Sequence, residues 1–173
     1  MTIDDLNALD RDDFVAAVGH VFEHSPWIAE RAWERRPFAD VDALHAALVD
    51  AMHAASDAEK LALIRAHPDL VGRAARAGTL TPSSTREQAG AGLDALSASE
   101  VALFDRYNSE YRESFGFPFV ICARENRKES ILRAFPERLR HSREEEISTA
   151  LTEIGKIASF RLLDTVAPNP SPA

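Results

Sequence analysis

Arg65-Ala66-His67-Pro68-Asp69-Leu70 reads as the end of one helix, and Ser84-Thr85-Arg86-Glu87-Gln88-Ala89-Gly90-Ala91-Gly92-Leu93 as the start of another. Pro68 disfavours the helical conformation for the residue before it, so the first helix should stop near Ala66 and leave His67 at a junction. Imidazole is the side chain whose ordinary pKa lies nearest neutrality. Ser84 and Glu87 have the spacing of a capping box, which would set a carboxylate in the first turn of the later helix. The pattern of helix stop, connection and capped restart then recurs along the whole chain.

Toward the N-terminus, Asp10 can cap a helix carrying Phe14, Val15, Val18, Val21 and Phe22 and ending near His24. Ser25-Pro26 favours a short helix with Trp27, Ile28 and Trp33, stopped before Pro37. Asp40 opens a segment with Val41, Leu44, Leu48, Val49 and Met52 at amphipathic spacing, and Ser56 caps the next, with Leu61, Leu63 and Ile64. Toward the C-terminus, a short helical stretch to about Ala77 leads into the Gly78 and Thr81-Pro82-Ser83 connection. Ser97 and Glu100 form a second capping-box pattern ahead of Val101, Phe104, Tyr107, Asn108 and Tyr111. Gly116-Phe117-Pro118 ends that helix.

Phe119-Val120-Ile121-Cys122-Ala123 is the one short, continuous, β-favouring apolar run, read as a buried extended segment or a single short strand. A helix from about Arg127 to Arg140 should kink or break at Pro136. Ser142 and Glu145 cap the last long helix, which runs to about Val166. The expected fold is all-α: a single multi-helix domain over residues 1–166 with one short extended segment, and a proline-rich disordered tail over 167–173.

Composition narrows the function classes. The chain has 173 residues, 45% hydrophobic and 28% charged, and a net charge of −8 from 28 acidic and 20 basic residues. The basic residues are dispersed, which argues against nucleic-acid binding. No apolar run approaches the ~20 residues of a membrane-spanning helix, and the N-terminus lacks a signal-peptide profile. The lone Cys122 cannot form an internal disulfide, and an intracellular protein is expected. Cys122 itself reads as a small buried residue without thiolate character. His20 and His24 have zinc-helix spacing without the remaining ligands, so no metal site is expected.

Three features can carry chemistry, each beside a structural alternative. His67 is either a hydrogen-bonded junction residue or a proton donor. Glu87 is a capping carboxylate, a catalytic one, or both, since a helix start can also hold polar ligand atoms. Arg161 falls on the apolar stripe of the last helix, with Ile147, Ala150, Leu151, Ile154, Ile157 and Ala158. An arginine there pairs with an acidic side chain, snorkels at the helix end, or grips a substrate carboxylate or carbonyl. The extended run has a further property: its backbone offers N–H and C=O groups that a planar polar heterocycle can meet.

Several rare strings occur in order: Phe22-Glu23-His24-Ser25-Pro26-Trp27, Arg36-Pro37-Phe38, the His67 string, Leu80-Thr81 with Ser84 and Glu87 to Leu93, Tyr111 with Phe115 to Phe119, and Ile157-Ala158 with Arg161-Leu162. Together they closely resemble the 2-oxo-4-hydroxy-4-carboxy-5-ureidoimidazoline (OHCU) decarboxylase family, over about residues 10–166. The resemblance implies an all-helical fold and cofactor-free decarboxylation of OHCU to (S)-allantoin and carbon dioxide, the last step of urate degradation. It implies His67 as catalytic acid with Glu87 assisting, and a substrate pocket of Pro68, Ser84, Thr85, Arg86, Glu87, Gln88, Phe119, Val120, Ile121, Cys122, Ala123 and Arg161. It further implies a homodimer and functional coupling to hydroxyisourate hydrolase. The C-terminal Ser171-Pro172-Ala173 does not match the peroxisomal Ser-Lys-Leu, so a cytoplasmic location is expected. The rival expectation is a non-catalytic helical module binding a purine-derived ureido ligand or a partner protein.

Overall fold

A computed structural model describes residues 1–167. Among them every regular element is helical: α1 (Ile3–Ala8), α2 (Arg11–Val18), α3 (Trp27–Trp33), α4 (Val41–His53), α5 (Asp57–Ala66), α6 (Arg73–Arg76), α7 (Pro82–Gly90), α8 (Ala98–Phe115), α9 (Lys128–Arg138) and α10 (Arg143–Thr165), with short 3-10 turns at Gly19–Val21 and Ala123–Glu125. The tail expected to be disordered lies outside the described residues except for Ala167, whose N–H bonds the Met1 carbonyl at 2.8 Å. Within the stretch read as one domain, residues cluster into two compact units, Met1–Leu63 with the segment from Ala158 onward, and Ile64–Ile157.

In the first unit α3 packs on both α2 and α4. Asp10 and Asp40 accept the backbone N–H of Asp13 and Ala43 at 2.9 and 2.7 Å, so the predicted N-caps of α2 and α4 are in place. The core is aliphatic and aromatic: Phe14, Val18, Ile28, Leu44 and Leu48 have no exposed surface, and the Phe14 and Phe38 rings stack at 6.0 Å. Two local expectations change. The α-helix capped by Asp10 stops at Val18 and tightens into a 3-10 turn, instead of continuing to His24. α3 begins as expected, but no side chain caps it, so Ser25 acts there only through its backbone C=O, bonded by the Ile28 N–H at 3.2 Å.

The second unit is built around aromatic rings. α8 carries Phe104, Tyr111 and Phe115 inward, and α9 packs on it with Ile131 and Phe135. Phe119 stacks on Phe135 with centroids 3.9 Å apart, and Tyr111 meets the edge of Phe119 at 5.2 Å. Each buried phenylalanine contributes about 1.5–3 kcal/mol of transfer free energy. Ser97 with Glu100 forms the capping box of α8, and Gly116 ends it at φ 78°, a conformation that costs glycine least. α9 does not break at Pro136; it runs through the proline and stops two residues later at Arg138. Placed so near the helix end, the ring forfeits a bond of the last turns and leaves the body of the helix intact.

Candidate active site

His67 sits where the sequence predicts. α5 ends at Ala66, Ser56 and Glu59 cap its start with reciprocal bonds of 2.9 and 3.3 Å, and the His67 N–H closes onto the Ile64 carbonyl at 3.2 Å. The His67 side chain is buried, Pro68 half-buried. The three residues after Pro68 are held almost atom by atom. Arg112 Nε donates to both carboxylate oxygens of Asp69 at 3.0 and 3.1 Å. Asn108 Nδ2 donates to the Leu70 carbonyl at 2.9 Å, and the Val71 N–H donates to Gln88 Oε1 at 3.0 Å. Arg76 Nη1 takes the Val71 carbonyl at 3.0 Å.

That hold has a purpose the backbone reveals. Val71 lies at φ 58°, a left-handed conformation that costs a β-branched residue about 1–2 kcal/mol or more. Such a conformation persists only where surrounding contacts over-determine it. Gly72 follows for a steric reason: a Cβ there would stand 2.6 Å from Asp69 Cβ. The turn behind His67 is therefore rigid, strained and closed to side chains at its last residue.

α7 corrects the reading of Ser84. The helix begins at Pro82, with Thr81 as N-cap accepting the Ser84 N–H at 3.3 Å. Ser84 and Glu87 are thus not the two ends of a capping box. Proline at the first helical position, whose missing N–H is no loss there, is the signal that decides it. Ser84, Glu87, Gln88 and Ala91 instead fall on one side of the helix, all of them buried. Thr85 and Arg86 point the other way and are exposed, Thr85 bonding the Thr81 carbonyl at 3.1 Å and Arg86 reaching Ser83 Oγ at 3.5 Å. Thr85 also edges a cleft of about 440 Å³ that Val71, Arg76, Leu80, Gln88 and Leu93 line. A buried polar face on an otherwise ordinary helix is costly unless those groups are met, so its presence marks function more sharply than a cap would.

Phe119 to Cys122 form neither helix nor ladder, and Ala123 already opens the 3-10 turn, so no strand exists here. Phe119, Val120, Cys122 and Ala123 are buried and Ile121 is partly exposed. Arg138 Nη1 donates to the Val120 carbonyl at 2.6 Å, and the Cys122 N–H donates to Glu153 Oε2 at 2.8 Å. Among the described residues, no group meets the N–H or C=O of Ile121. Burial pushes the Cys122 thiol up, so it stays protonated and chemically quiet, as its surroundings in sequence suggested.

Named bonds join these parts within the second unit. Gln88 ties α7 to the turn behind His67. The Ala123–Glu125 turn packs on α7, and the Lys128 N–H bonds the Ala91 carbonyl at 3.1 Å.

Arg161 belongs to the first unit. It is 3% exposed, on the apolar stripe where the helical spacing puts it, and its Nη1 donates to Glu23 Oε2 at 2.9 Å and to the Val21 carbonyl at 3.3 Å. Glu23, itself 3% exposed, is the acidic partner that sequence reading left unnamed. The only sequence hint was its place in the Phe22 to Trp27 string. Burial, and secondarily the Arg161 charge, hold the nearby His20 below its ordinary pKa. His24 lies at φ 47°, past the end of the helix, so His20 and His24 do not form a helical ligand pair. Among the described residues no three His, Cys, Asp or Glu side chains gather as a metal set.

Residues 7–163 match the model of the OHCU decarboxylase family. The 2-oxo-4-hydroxy-4-carboxy-5-ureidoimidazoline decarboxylase of Haloferax volcanii is 45% identical over 164 residues, covering 95% of this chain and 95% of that protein. A solved chain named (S)-allantoin synthase superposes with a TM-score of 0.77 at 28% identity, covering 96% of this chain and 54% of that one. This chain therefore spans about half of that longer protein. A crystal structure of OHCU decarboxylase in the presence of (S)-allantoin superposes with a TM-score of 0.65 at 25% identity, covering 80% of this chain and 89% of that one. With a family match over nearly its whole length and that level of identity, this chain belongs to the OHCU decarboxylase family.

Proposed function

We propose that this protein is a carboxy-lyase that decarboxylates OHCU to (S)-allantoin, and that residues 1–166 act as one functional domain. The family match carries the activity and spans both compact units. The single structural observation behind the assignment of residues is the buried polar face of Ser84, Glu87 and Gln88, tied through Val71 to the turn behind buried His67.

OHCU carries an imine carbon beside the carbon that loses the carboxylate. When that C–C bond breaks, its electron pair forms a double bond to the imine carbon, and the imine π pair passes to the ring nitrogen, which takes a proton. The resulting enol becomes a carbonyl as its hydroxyl proton leaves, and a proton is delivered to the former imine carbon. The substrate supplies its own electron sink, so the protein's task is orientation, charge complementarity and one-sided proton delivery.

His67 delivers that proton, and Glu87 positions His67 or the substrate hydroxyl. Ser84, Gln88 and the backbone of Phe119 to Ala123 hold the ureido and ring polar atoms, with Pro68 walling the site beside His67, and a substrate-binding role for Arg161 rests on family likeness alone. The exposed Thr85 and Arg86 take part through the helix backbone alone. Assembly as a homodimer and coupling to hydroxyisourate hydrolase rest on family likeness, and a cytoplasmic location is proposed beside them. In the solved (S)-allantoin synthase, the matching fold is joined to further chain.

The test follows freshly generated OHCU by circular dichroism, with wild type and His67→Asn. Wild type should accelerate formation of the S product and His67→Asn should lose about 10²–10⁴-fold of that rate. A wild type that binds OHCU without accelerating carbon dioxide loss is a binding module instead, and undiminished S product from His67→Asn removes His67 from the role.

A further inference from the structure

We propose that Arg138 and Glu153 are positioning residues that aim the backbone of Ile121 at the substrate, an inference that rests on the decarboxylase reading above. A trans peptide is planar, with its C=O and N–H pointing in opposite directions. Ile121 is flanked by two such planes. In the first, the Val120 carbonyl is taken by Arg138 at 2.6 Å, which sends the Ile121 N–H the opposite way. In the second, the Cys122 N–H is taken by Glu153 at 2.8 Å, which does the same for the Ile121 C=O. One end of each plane is clamped, and the other ends are one donor and one acceptor on a single partly exposed residue.

Both clamps are charged, which makes their hydrogen bonds roughly twice as strong as neutral ones and polarises the peptides they hold. A cation at the Val120 carbonyl makes the Ile121 N–H a better donor, and an anion at the Cys122 N–H makes the Ile121 C=O a better acceptor. A donor and an acceptor on neighbouring peptides complement an amide-like N–C=O edge, which the ring and the ureido group of the substrate both carry.

The clamps are themselves fixed. Arg138 Nε and Nη2 lie 2.9 and 2.7 Å from Glu146, Tyr111 donates its hydroxyl to the same carboxylate, and the guanidinium covers the Phe119 ring at 4.2 Å. Glu153 Oε1 receives Lys156 Nζ at 2.8 Å, leaving Oε2 for the Cys122 N–H. Such a network exceeds what a short irregular segment needs merely to stay folded, since Phe119 is already anchored by stacking on Phe135.

Glu153 is the residue to change, because Arg138 sits in a buried ion pair whose loss threatens the fold. Steady-state decarboxylation of OHCU is measured for wild type, Glu153→Gln and Glu153→Leu, each checked for folding by circular dichroism. For Glu153→Leu, KM should rise about tenfold with kcat within about twofold, and Glu153→Gln, which keeps an acceptor, should stay within about threefold of wild-type KM. Should Glu153→Leu not fold, Glu153→Asp decides: its shorter carboxylate withdraws from the Cys122 N–H, and the same rise in KM is expected. A folded Glu153→Leu or Glu153→Asp with wild-type KM, or with kcat lowered at constant KM, overturns the positioning role. A wild type that does not turn over OHCU overturns the decarboxylase reading instead.

Discussion

The turn behind His67 and the segment around Ile121 are both irregular, both in the second unit and both held by long side chains, yet they are held to opposite ends. Behind His67 the pins fall on consecutive residues: Asp69, the Leu70 carbonyl, and both the N–H and the carbonyl of Val71. Around Ile121 the pins fall on Val120 and Cys122 and skip the residue between them. The first arrangement spends its backbone to hold a side chain still. The second holds its neighbours still to offer its backbone. A segment that presents a side chain tolerates strain, as at Val71, whereas one that presents peptide groups must keep them unspent.

The sharpest way to break this contrast is at the two presenting residues. Ile121→Ala keeps the peptide groups and should retain turnover within about threefold, whereas Ile121→Pro removes the N–H and should raise KM at least tenfold. Equal effects of the two substitutions in an OHCU assay would mean that the Ile121 side chain, not its backbone, is what counts. His67→Asn should show the reverse pattern, a large loss of rate with the fold retained.

Next in size is Gln88→Leu. It leaves the Val71 N–H buried without a partner, at a cost of about 1–3 kcal/mol, visible as a lower midpoint in urea. If Gln88 only contacted substrate, the midpoint would not move. Gly72→Ala forces a Cβ against Asp69 and should cost about 1–3 kcal/mol in the same measurement, although its φ of −70° suits alanine. An unchanged midpoint would show that the turn is looser than its bonds imply.

A smaller effect concerns pH in the first unit, which holds neither of these two segments. Burial lowers the His20 pKa from 6.5, so the folded state favours the neutral ring. Its contribution is fully present above pH 6.5 and is lost as pH falls through that value toward the depressed one. Replacement by Gln should flatten the fall in melting temperature between neutral and mildly acidic pH, and an unaltered slope would assign that fall to other groups. Smallest of all, Arg86→Ala should change stability by no more than about 0.5 kcal/mol, as expected for an exposed side chain.

Much of this is legible in the sequence. Asp10, Asp40, Ser56, Ser97 and Ser142 each begin a helix where capping chemistry puts them, because a cap is a local bond among residues a few positions apart. Ser84 departs from its capping pattern for an equally local reason. The stretch from Thr81 to Glu87 holds two overlapping start signals, and Pro82 favours the earlier one. The consequence was not small, since moving the start turns Glu87 from a terminal carboxylate into part of a buried polar face.

Sequence alone determined the helical plan, the stop before Pro68, the place of Arg161 on a buried stripe and membership of a family of decarboxylases. Those depend on periodicity, capping and recurring strings, which are properties of neighbouring residues. Only the tertiary structure decided what each polar group meets: Glu23 on Arg161, Gln88 on Val71, Arg138 and Glu153 on either side of Ile121. These partners lie between 17 and 138 positions apart in the chain. A hydrogen bond requires its two atoms to come within about 3 Å, and spacing along a sequence does not specify that for groups brought together only by packing.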